Sequence, residues 1–332
     1  MLIPCYNEEK SVKKSAESWL AQTRLPDEII VVDDCSKDRT AEILKQFEGR
    51  IKVVQPPRNT GNKSSAQEYG LKFLTGDVFI ATDGDTLLHP DFVRLIEEDF
   101  KDPSVVAVGG YVKSLKYNWL TACRALDYTL GQNLDKLAQD YINFMFVIPG
   151  AAGAFKTSVF RQLGFDHDTL TEDLDFTYKL HKMGHHIKYN REAICYTQDP
   201  AQFKSYVNQM RRWYAGGWQN FLKHFSVPTK PGMAFELAII YGEGLVFSFL
   251  LFAMPILNLT LTFFFLKMYL YVLAAIIAFG IYKERRWDFI YIAPAYLFLK
   301  YVNAWTYLEQ FVKEVILKKK NLVWFKPERV QL

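Results

Sequence analysis

The sequence has no Cys-x-x-Cys pair. Its cysteines, Cys5, Cys35, Cys123 and Cys195, are scattered singly, so there is no disulfide framework and a reducing compartment is the simplest inference. No Gly-x-Gly-x-x-Gly follows the first apolar run, which disfavours a Rossmann dinucleotide enzyme, and no Gly-Lys-Ser/Thr loop supports a P-loop ATPase. A strong excess of one charge is missing too: the formal net charge of +4 is too small to argue for nucleic acid as a partner. No secretory signal opens the chain. The opening is itself short, with only Leu2 and Ile3 before the loop Pro4-Cys5-Tyr6-Asn7-Glu8. A buried first strand normally has more, so the gene product is expected to begin upstream, with room for a further membrane helix there.

What is present falls into two unlike parts, and the near-zero mean hydropathy is their average. Up to about Val227 charged and apolar residues mix as in a soluble α/β domain; from Met233 to about Val312 the chain is mostly apolar and aromatic. Met233–Phe252 carries only Glu236 and Glu243, and Met254–Tyr282 only Lys267. Each can span a ~30 Å hydrocarbon core with about 20 helical residues. Phe289–Val312, holding Lys300 and Glu309, is a weaker third span, and a buried helical bundle is the soluble alternative. The expected organisation is an α/β domain over 1–200, an amphipathic segment over 201–232, membrane helices over 233–312 and a basic tail over 313–332.

Strand and helix alternate through the first part. Glu9–Thr23, Ser36–Phe47, Ser64–Leu74, Asp91–Phe100 and Glu172–Met183 have helical spacing, while Glu28–Val32, Ile51–Val54, Val78–Ala81, Val105–Lys113, Ile187–Tyr189 and Ala193–Tyr196 read as strands. Such alternation implies a mostly parallel sheet covered on both faces. Trp119–Phe146 reads as one long helix with no assignable chemistry, and Ile148–Phe155 as a run of small residues that lets backbone approach a bulky ligand.

Parallel strands expose their carboxyl ends on one side, where open α/β sheets bind ligands. Pro4–Glu8, Asp33-Asp34 and Asp83-Gly84-Asp85 all fall at such ends. Two acids one residue apart suit a hard divalent cation carrying a diphosphate, although Asp-Gly-Asp is also an ordinary turn. Thr171-Glu172-Asp173 is a second acidic focus, equally explained by Thr171 capping a helix that Gly184 ends. His181 and His185 are four apart but separated by Gly184, which argues against a metal pair. Gln209-Met210-Arg211-Arg212-Trp213 lies in an aromatic and basic stretch with Phe203, Tyr206 and Trp218. That stretch suits the lipid interface, yet a plain anchor leaves Gln209, Arg212 and Trp213 together unexplained.

In that order these residues resemble the membrane-embedded, processive family 2 glycosyltransferases, which include hyaluronan, cellulose, chitin and poly-N-acetylglucosamine synthases. The family pattern is Pro-x-Tyr-Asn-Glu, Asp-Asp, Asp-x-Asp, Thr-Glu-Asp and Gln-x-x-Arg-Trp, and all five occur here, followed by apolar spans. The short opening departs from it. The resemblance implies a GT-A type nucleotide-sugar-binding domain with a mostly parallel sheet, followed by transmembrane helices. It also implies inverting transfer from a UDP-sugar to a growing polysaccharide, with a cytoplasmic catalytic domain on the cell (inner) membrane.

Carried over residue by residue, Asp173 is the candidate base and Glu172 its neighbour in the substrate site. Asp85, assisted by Asp83, holds Mg2+ or Mn2+; Pro4, Tyr6, Glu8, Asp33 and Asp34 meet the base or ribose. Arg212 meets phosphate, and Gln209 and Trp213 frame the acceptor; Lys63, outside the five motifs, follows the Gly61-Asn62 turn near enough to meet phosphate too. A lipid-linked acceptor remains open, because non-processive polyprenyl phosphate transferases share the first three motifs. A non-catalytic nucleotide-sugar-binding subunit is the farther alternative. Membrane lipid and an accessory membrane subunit complete the expected partners.

Overall fold

The computed structural model describes residues 1–225, 231–320, 322 and 330. Residues 226–230 of the expected amphipathic segment and half of the basic tail, 321, 323–329 and 331–332, lie outside them. The chain order is β1 (Leu2–Cys5), α1 (Val12–Leu20), β2 (Ile30–Asp33), α2 (Thr40–Lys45), β3 (Lys52–Val54), α3 (Lys63–Leu71), β4 (Val78–Ala81), β5 (Leu87–Leu88), α4 (Phe92–Asp99) and β6 (Val105–Ser114). It continues with α5 (Trp119–Leu130), α6 (Lys136–Tyr141), β7 (Gly153–Lys156), α7 (Thr157–Leu163), α8 (Glu172–Lys182) and β8 (His186–Thr197). After these come α9 (Phe203–Lys223), α10 (Pro231–Leu237), α11 (Gly244–Leu257), α12 (Leu259–Glu284) and α13 (Ala293–Phe311).

Met1–Leu115 and Lys136–Gln198 belong to one compact unit; Lys116–Asp135 and Asp199–Pro327 form the other. The first unit is built on an 8-stranded sheet in the order β3-β2-β1-β4-β7-β6-β8-β5. β3, β2, β1 and β4 run parallel; the apolar sequences of β2, β1 and β4 suit strands buried on both faces, while β3 is an exposed edge. β7 enters between β4 and β6 antiparallel to both. Phe79, Phe155, Phe160, Phe165 and Phe176 pack ring against ring beneath it, with centroids as close as 4.5 Å for Phe160 and Phe176.

Several expected elements differ in extent. Ile187–Tyr189 and Ala193–Tyr196 are one strand, β8, whose pairing with β6 shifts between Gly110/Asn190 and Tyr111/Ile194. Asn190 Oδ1 accepts from the backbone N–H groups of Glu192 and Ala193 at 3.0 and 3.1 Å, stitching the extra residues into a bulge that reads locally as a break. The long helix from Trp119 ends at Tyr141 and passes through a π turn at Gly131–Asp135. Thr171 occupies the N-cap position of α8 but its side chain makes no capping bond, whereas Gly184, at φ +71, does end that helix.

In the second unit α10, a π turn at Ala238–Glu243 and α11 follow without a break, and α12 begins at once beyond Asn258. Asn258 Oδ1 accepts from the Leu261 N–H at 2.9 Å and thereby caps α12. Ala234–Leu257 and Leu259–Glu284 are long and apolar enough to cross a membrane, and little of either is buried within the protein. The third expected span, α13, is of a different kind. Its polar residues are taken up by neighbouring helices: Lys300 Nζ donates to Asp127 at 2.9 Å, Asn303 Oδ1 accepts from Tyr206 Oη at 2.7 Å, and Glu309 pairs with Arg211 at 3.0 Å.

Candidate active site

The register of β1 against β2, Leu2↔Ile30 through Cys5↔Asp33, brings two strand ends level. The loops beyond them are then sewn together. The Asn7 N–H donates to Ser36 Oγ at 3.0 Å, Lys37 N–H to Asn7 Oδ1 at 2.7 Å, and Glu8 N–H to Thr40 Oγ1 at 2.7 Å. Asn7 takes φ +52, which asparagine tolerates better than most residues. Pro4 lies within β1 and Tyr6 is half-buried beside it, while Glu8 is buried with its carboxylate accepting from Ser11 Oγ at 3.1 Å.

Asp33 and Asp34 are both buried. Asp33 Oδ1 accepts from the Ser36 N–H at 3.0 Å. Asp34 accepts from the Thr60 N–H at 2.8 Å, Thr60 Oγ1 at 2.9 Å and Asn59 Nδ2 at 3.1 Å. Three of the roughly four acceptor positions of this carboxylate therefore hold the Asn59–Lys63 turn in place. That turn delivers the next functional group: Asn62 Oδ1 caps α3 by accepting from the Ser65 N–H at 2.8 Å, so the helix starts on Lys63.

Lys63 is the centre of the cluster. Its ammonium is ion-paired with Asp83 and donates to the Gly150 carbonyl at 3.1 Å. Burial opposes its charge, but Asp83, Glu172 and Asp173 together hold its pKa above the ordinary lysine value. A Cβ added to Gly150 would stand 2.7 Å from Lys63 Nζ and 3.8 Å from Asp173 Oδ2. The small residue at 150 is thus what lets lysine and the candidate base share one backbone position. Thr82 Oγ1 donates to the Ala151 carbonyl at 2.9 Å, fixing the same segment to the end of β4.

Gly84 serves the acid pair by lacking a side chain. Its φ is not in the left-handed region, so conformational freedom is not the reason for glycine. A Cβ there would come within 2.5 Å of Cys5 Sγ and 3.3 Å of Glu8 Cγ. The Asp83–Asp85 loop consequently lies flat on the end of β1. Asp85 is fully buried and Asp83 partly exposed. Burial pushes the Cys195 thiol up, and Asp83 and Asp85 add to that effect, so this cysteine beside the acids stays protonated.

The sheet edge therefore collects Lys63, Asp83, Glu172 and Asp173 around one backbone turn, with carboxylate donors of the kind a hard divalent cation takes. Another acidic group, Asp166, Asp168 and Asp175, has ligand atoms within 4.8 Å of one another, but Lys179 pairs with Asp166 and, at 3.4 Å, with Asp175 and supplies positive charge there.

Comparison with known sequences fits this edge. Residues 1–163 match the family model described as glycosyl transferase family 2. The chain carries a family 2 glycosyl transferase domain. It is 31% identical over 236 residues to a poly-beta-1,6-N-acetyl-D-glucosamine synthase of Staphylococcus epidermidis, covering 69% of this chain and 57% of that protein. A synthase of the same description from Staphylococcus aureus strain COL is 29% identical over 249 residues, covering 74% and 60%. The chain thus spans under two thirds of the length of these relatives. Among solved structures, a mannosyltransferase from Pyrobaculum calidifontis in complex with GDP-Man and Mn2+ has a TM-score of 0.68 at 19% identity, covering 96% of this chain and 87% of that one. At that identity the likeness speaks to the fold, which is of the GT-A kind.

The glycosyl transferase domain match ends before Thr171 and before Gln209, and the latter belongs to the second unit, on α9. There Gln209 is buried, and among the described residues its Oε1 has no hydrogen-bond partner. Arg211 is taken by Glu309, while Arg212 and Trp213 are half-buried. One residue that sequence reasoning passed over meets this motif. Arg124, in the stretch given no chemistry, stacks its guanidinium 5.2 Å from the Trp213 ring centroid. A lone arginine in an apolar helix was the only signal for it.

Proposed function

We propose that the chain is an inverting, metal-assisted transferase that moves a sugar, N-acetylglucosamine from its UDP donor foremost, onto a growing polysaccharide at a membrane. The observation that carries this reading is the convergence of Lys63, Asp83, Glu172 and Asp173 at the end of β4. The sequence likeness to poly-N-acetylglucosamine synthases chooses the sugar. Asp85 and Asp83 would hold Mg2+ or Mn2+, which would supply charge neutralisation for the departing diphosphate. Lys63 is aimed at the same phosphates, and the Asp34-braced turn with Pro4, Tyr6, Glu8 and Asp33 forms the nucleoside end.

In a single displacement the acceptor hydroxyl must lose its proton as the new bond forms. Asp173 takes it, at a hydrogen-bond distance of about 2.6–3.2 Å. Glu172 adds negative potential that keeps Lys63 charged between phosphate and base. Gln209, Arg212 and Trp213 take the acceptor and pyrophosphate roles of their motif. Two helices, Ala234–Leu257 and Leu259–Glu284, anchor the protein in the cell membrane with the transferase domain on the cytoplasmic side, where nucleotide sugars are made.

A second reading, single addition to a lipid-linked acceptor, draws on α13. Lys300 and Asn303 are occupied by Asp127 and Tyr206, as in an anchor held together by helix-to-helix bonds, and a polymer path would have used them as lining. Purified protein given radiolabelled UDP-N-acetylglucosamine and Mn2+ separates the readings. Polymer supports the first, a glycolipid the second, and no turnover at all removes both in favour of a binding subunit.

A further inference from the structure

A buried cation lies against the Trp213 ring. Arg124, on α5, is 6% exposed. Its guanidinium carbon stands 5.2 Å from the Trp213 centroid, 4.9 Å from that of Tyr128 and 5.9 Å from that of Tyr206. Its nitrogens reach Asp199 at 3.3 Å and Asp127 at 3.2 Å. Asp127 also accepts from Lys300 Nζ at 2.9 Å and Tyr296 Oη at 2.8 Å. Two cations thus face two carboxylates, so the set is neutral and ties α5 and α13 to the helix that bears the Gln-x-x-Arg-Trp motif.

Buried ion pairs of this kind add little net stability over well-packed apolar side chains, because desolvation consumes most of the attraction. What they supply is geometry. A guanidinium is a rigid plane with its donors in a fixed fork, and two carboxylates on that fork set the plane. Rings stacked on it inherit the orientation. Trp213 has one face turned to Arg124 and is only half-buried, and sugar rings meet aromatic faces through their own apolar faces.

We propose that Arg124 is a positioning residue: by fixing the plane of Trp213 it sets how the acceptor sugar is held. The proposal rests on the reading that Trp213 meets the acceptor. Alternative uses of Arg124 are poorly served by the site, since its polar edge is already satisfied by Asp127 and Asp199 and its faces are covered by rings.

The test measures initial rates of the full chain in lipid nanodiscs, with UDP-N-acetylglucosamine as donor and short N-acetylglucosamine oligomers as acceptor. Arg124→Lys keeps the charge but loses the planar fork. It is expected to raise the acceptor KM about tenfold while kcat stays within about twofold, with UDP affinity unchanged by titration. Arg124→Met combined with Asp199→Asn, which removes one charge of each sign, should give the same KM shift. Trp213→Ala should raise the acceptor KM further, and adding Arg124→Lys to it should cost nothing more. Multiplicative effects in that double variant, or a parallel loss of UDP affinity, would overturn the role of Arg124 and leave Trp213 as the acceptor residue. An unchanged acceptor KM in Trp213→Ala, or no transfer to the oligomers by the unaltered protein, would overturn the acceptor reading and this proposal with it.

Discussion

A methyl group at Gly150 would sit 2.7 Å from Lys63 Nζ, so Gly150→Ala must displace that ammonium from its place between Asp83 and Asp173. Only the flexible end of a side chain has to move, so the fold should survive. Transfer is expected to fall about a hundredfold, as for a misplaced group near a reacting centre, with an unchanged thermal midpoint; full activity would show that Lys63 has no part in transfer. Asp173→Asn is expected to abolish transfer while UDP binding survives, because the base acts on the acceptor. Calorimetric titration beside a rate assay checks it, and polymer made at the normal rate removes the assignment. Asp85→Ala should abolish the metal-dependent part of nucleotide-sugar binding, read as identical UDP affinity with and without chelator. Asp83, Asp85, Asp173 and Lys63 could be read from the sequence as candidates because each stands at a strand or helix end, where charge has a stated use. Gly150 could be read only as one of a run of small residues and Arg124 not at all, since their meaning lies in contacts 87 and 89 residues away in sequence, with Lys63 and Trp213.

The turn before α3 joins two motifs that the sequence presents separately. Asp34 holds Asn59 and Thr60, and Asn62 caps the helix whose first residue is Lys63. Loss of that cap by Asn62→Ala should cost about 1 kcal/mol, read as a lower denaturant midpoint at unchanged slope. It should also weaken UDP binding, because the lysine then starts from a frayed turn. A stability loss with normal UDP affinity would limit Asn62 to a structural part. The parallel strands were easy to read, being apolar runs that stop on acids. β8 was harder: its bulge rests on Asn190 bonding its own backbone, which looks like a turn until the partner strand is known. α5 was hardest. Its pattern shows a helix, but nothing local reveals that Lys116–Asp135 belongs with the chain after Asp199, because the ion pair to Asp199 spans 75 residues.

On the proposed reading of the molecule as a membrane synthase, product either crosses the bilayer or stays on the side of synthesis, and the apolar helices bear on which. Ala234–Leu257 and Leu259–Glu284 turn mainly apolar side chains outward, as lipid requires. Polar residues within spans usually face a bundle interior or a water-filled path, and the sequence alone leaves those two uses open for Lys300 and Asn303. Both are engaged by side chains of neighbouring helices, Asp127 and Tyr206, which weakens the case that they line a path. Lys300→Met separates the cases. Were Lys300 a channel residue, the variant would elongate normally but retain its product on the side of synthesis. As a partner of Asp127 it should instead impair synthesis itself, because Asp127 then keeps only Arg124 and Tyr296 and the tie between α5 and α13 is weakened. The measurement uses sealed vesicles with the transferase domain outward, UDP-N-acetylglucosamine and Mn2+ outside, and a matching glycosidase added after synthesis. With unaltered protein, polymer protected from the enzyme supports translocation and a single added sugar refutes processivity. For Lys300→Met the expected outcome is less total polymer with the same protected fraction, and full-length but wholly digestible polymer would assign Lys300 to the path.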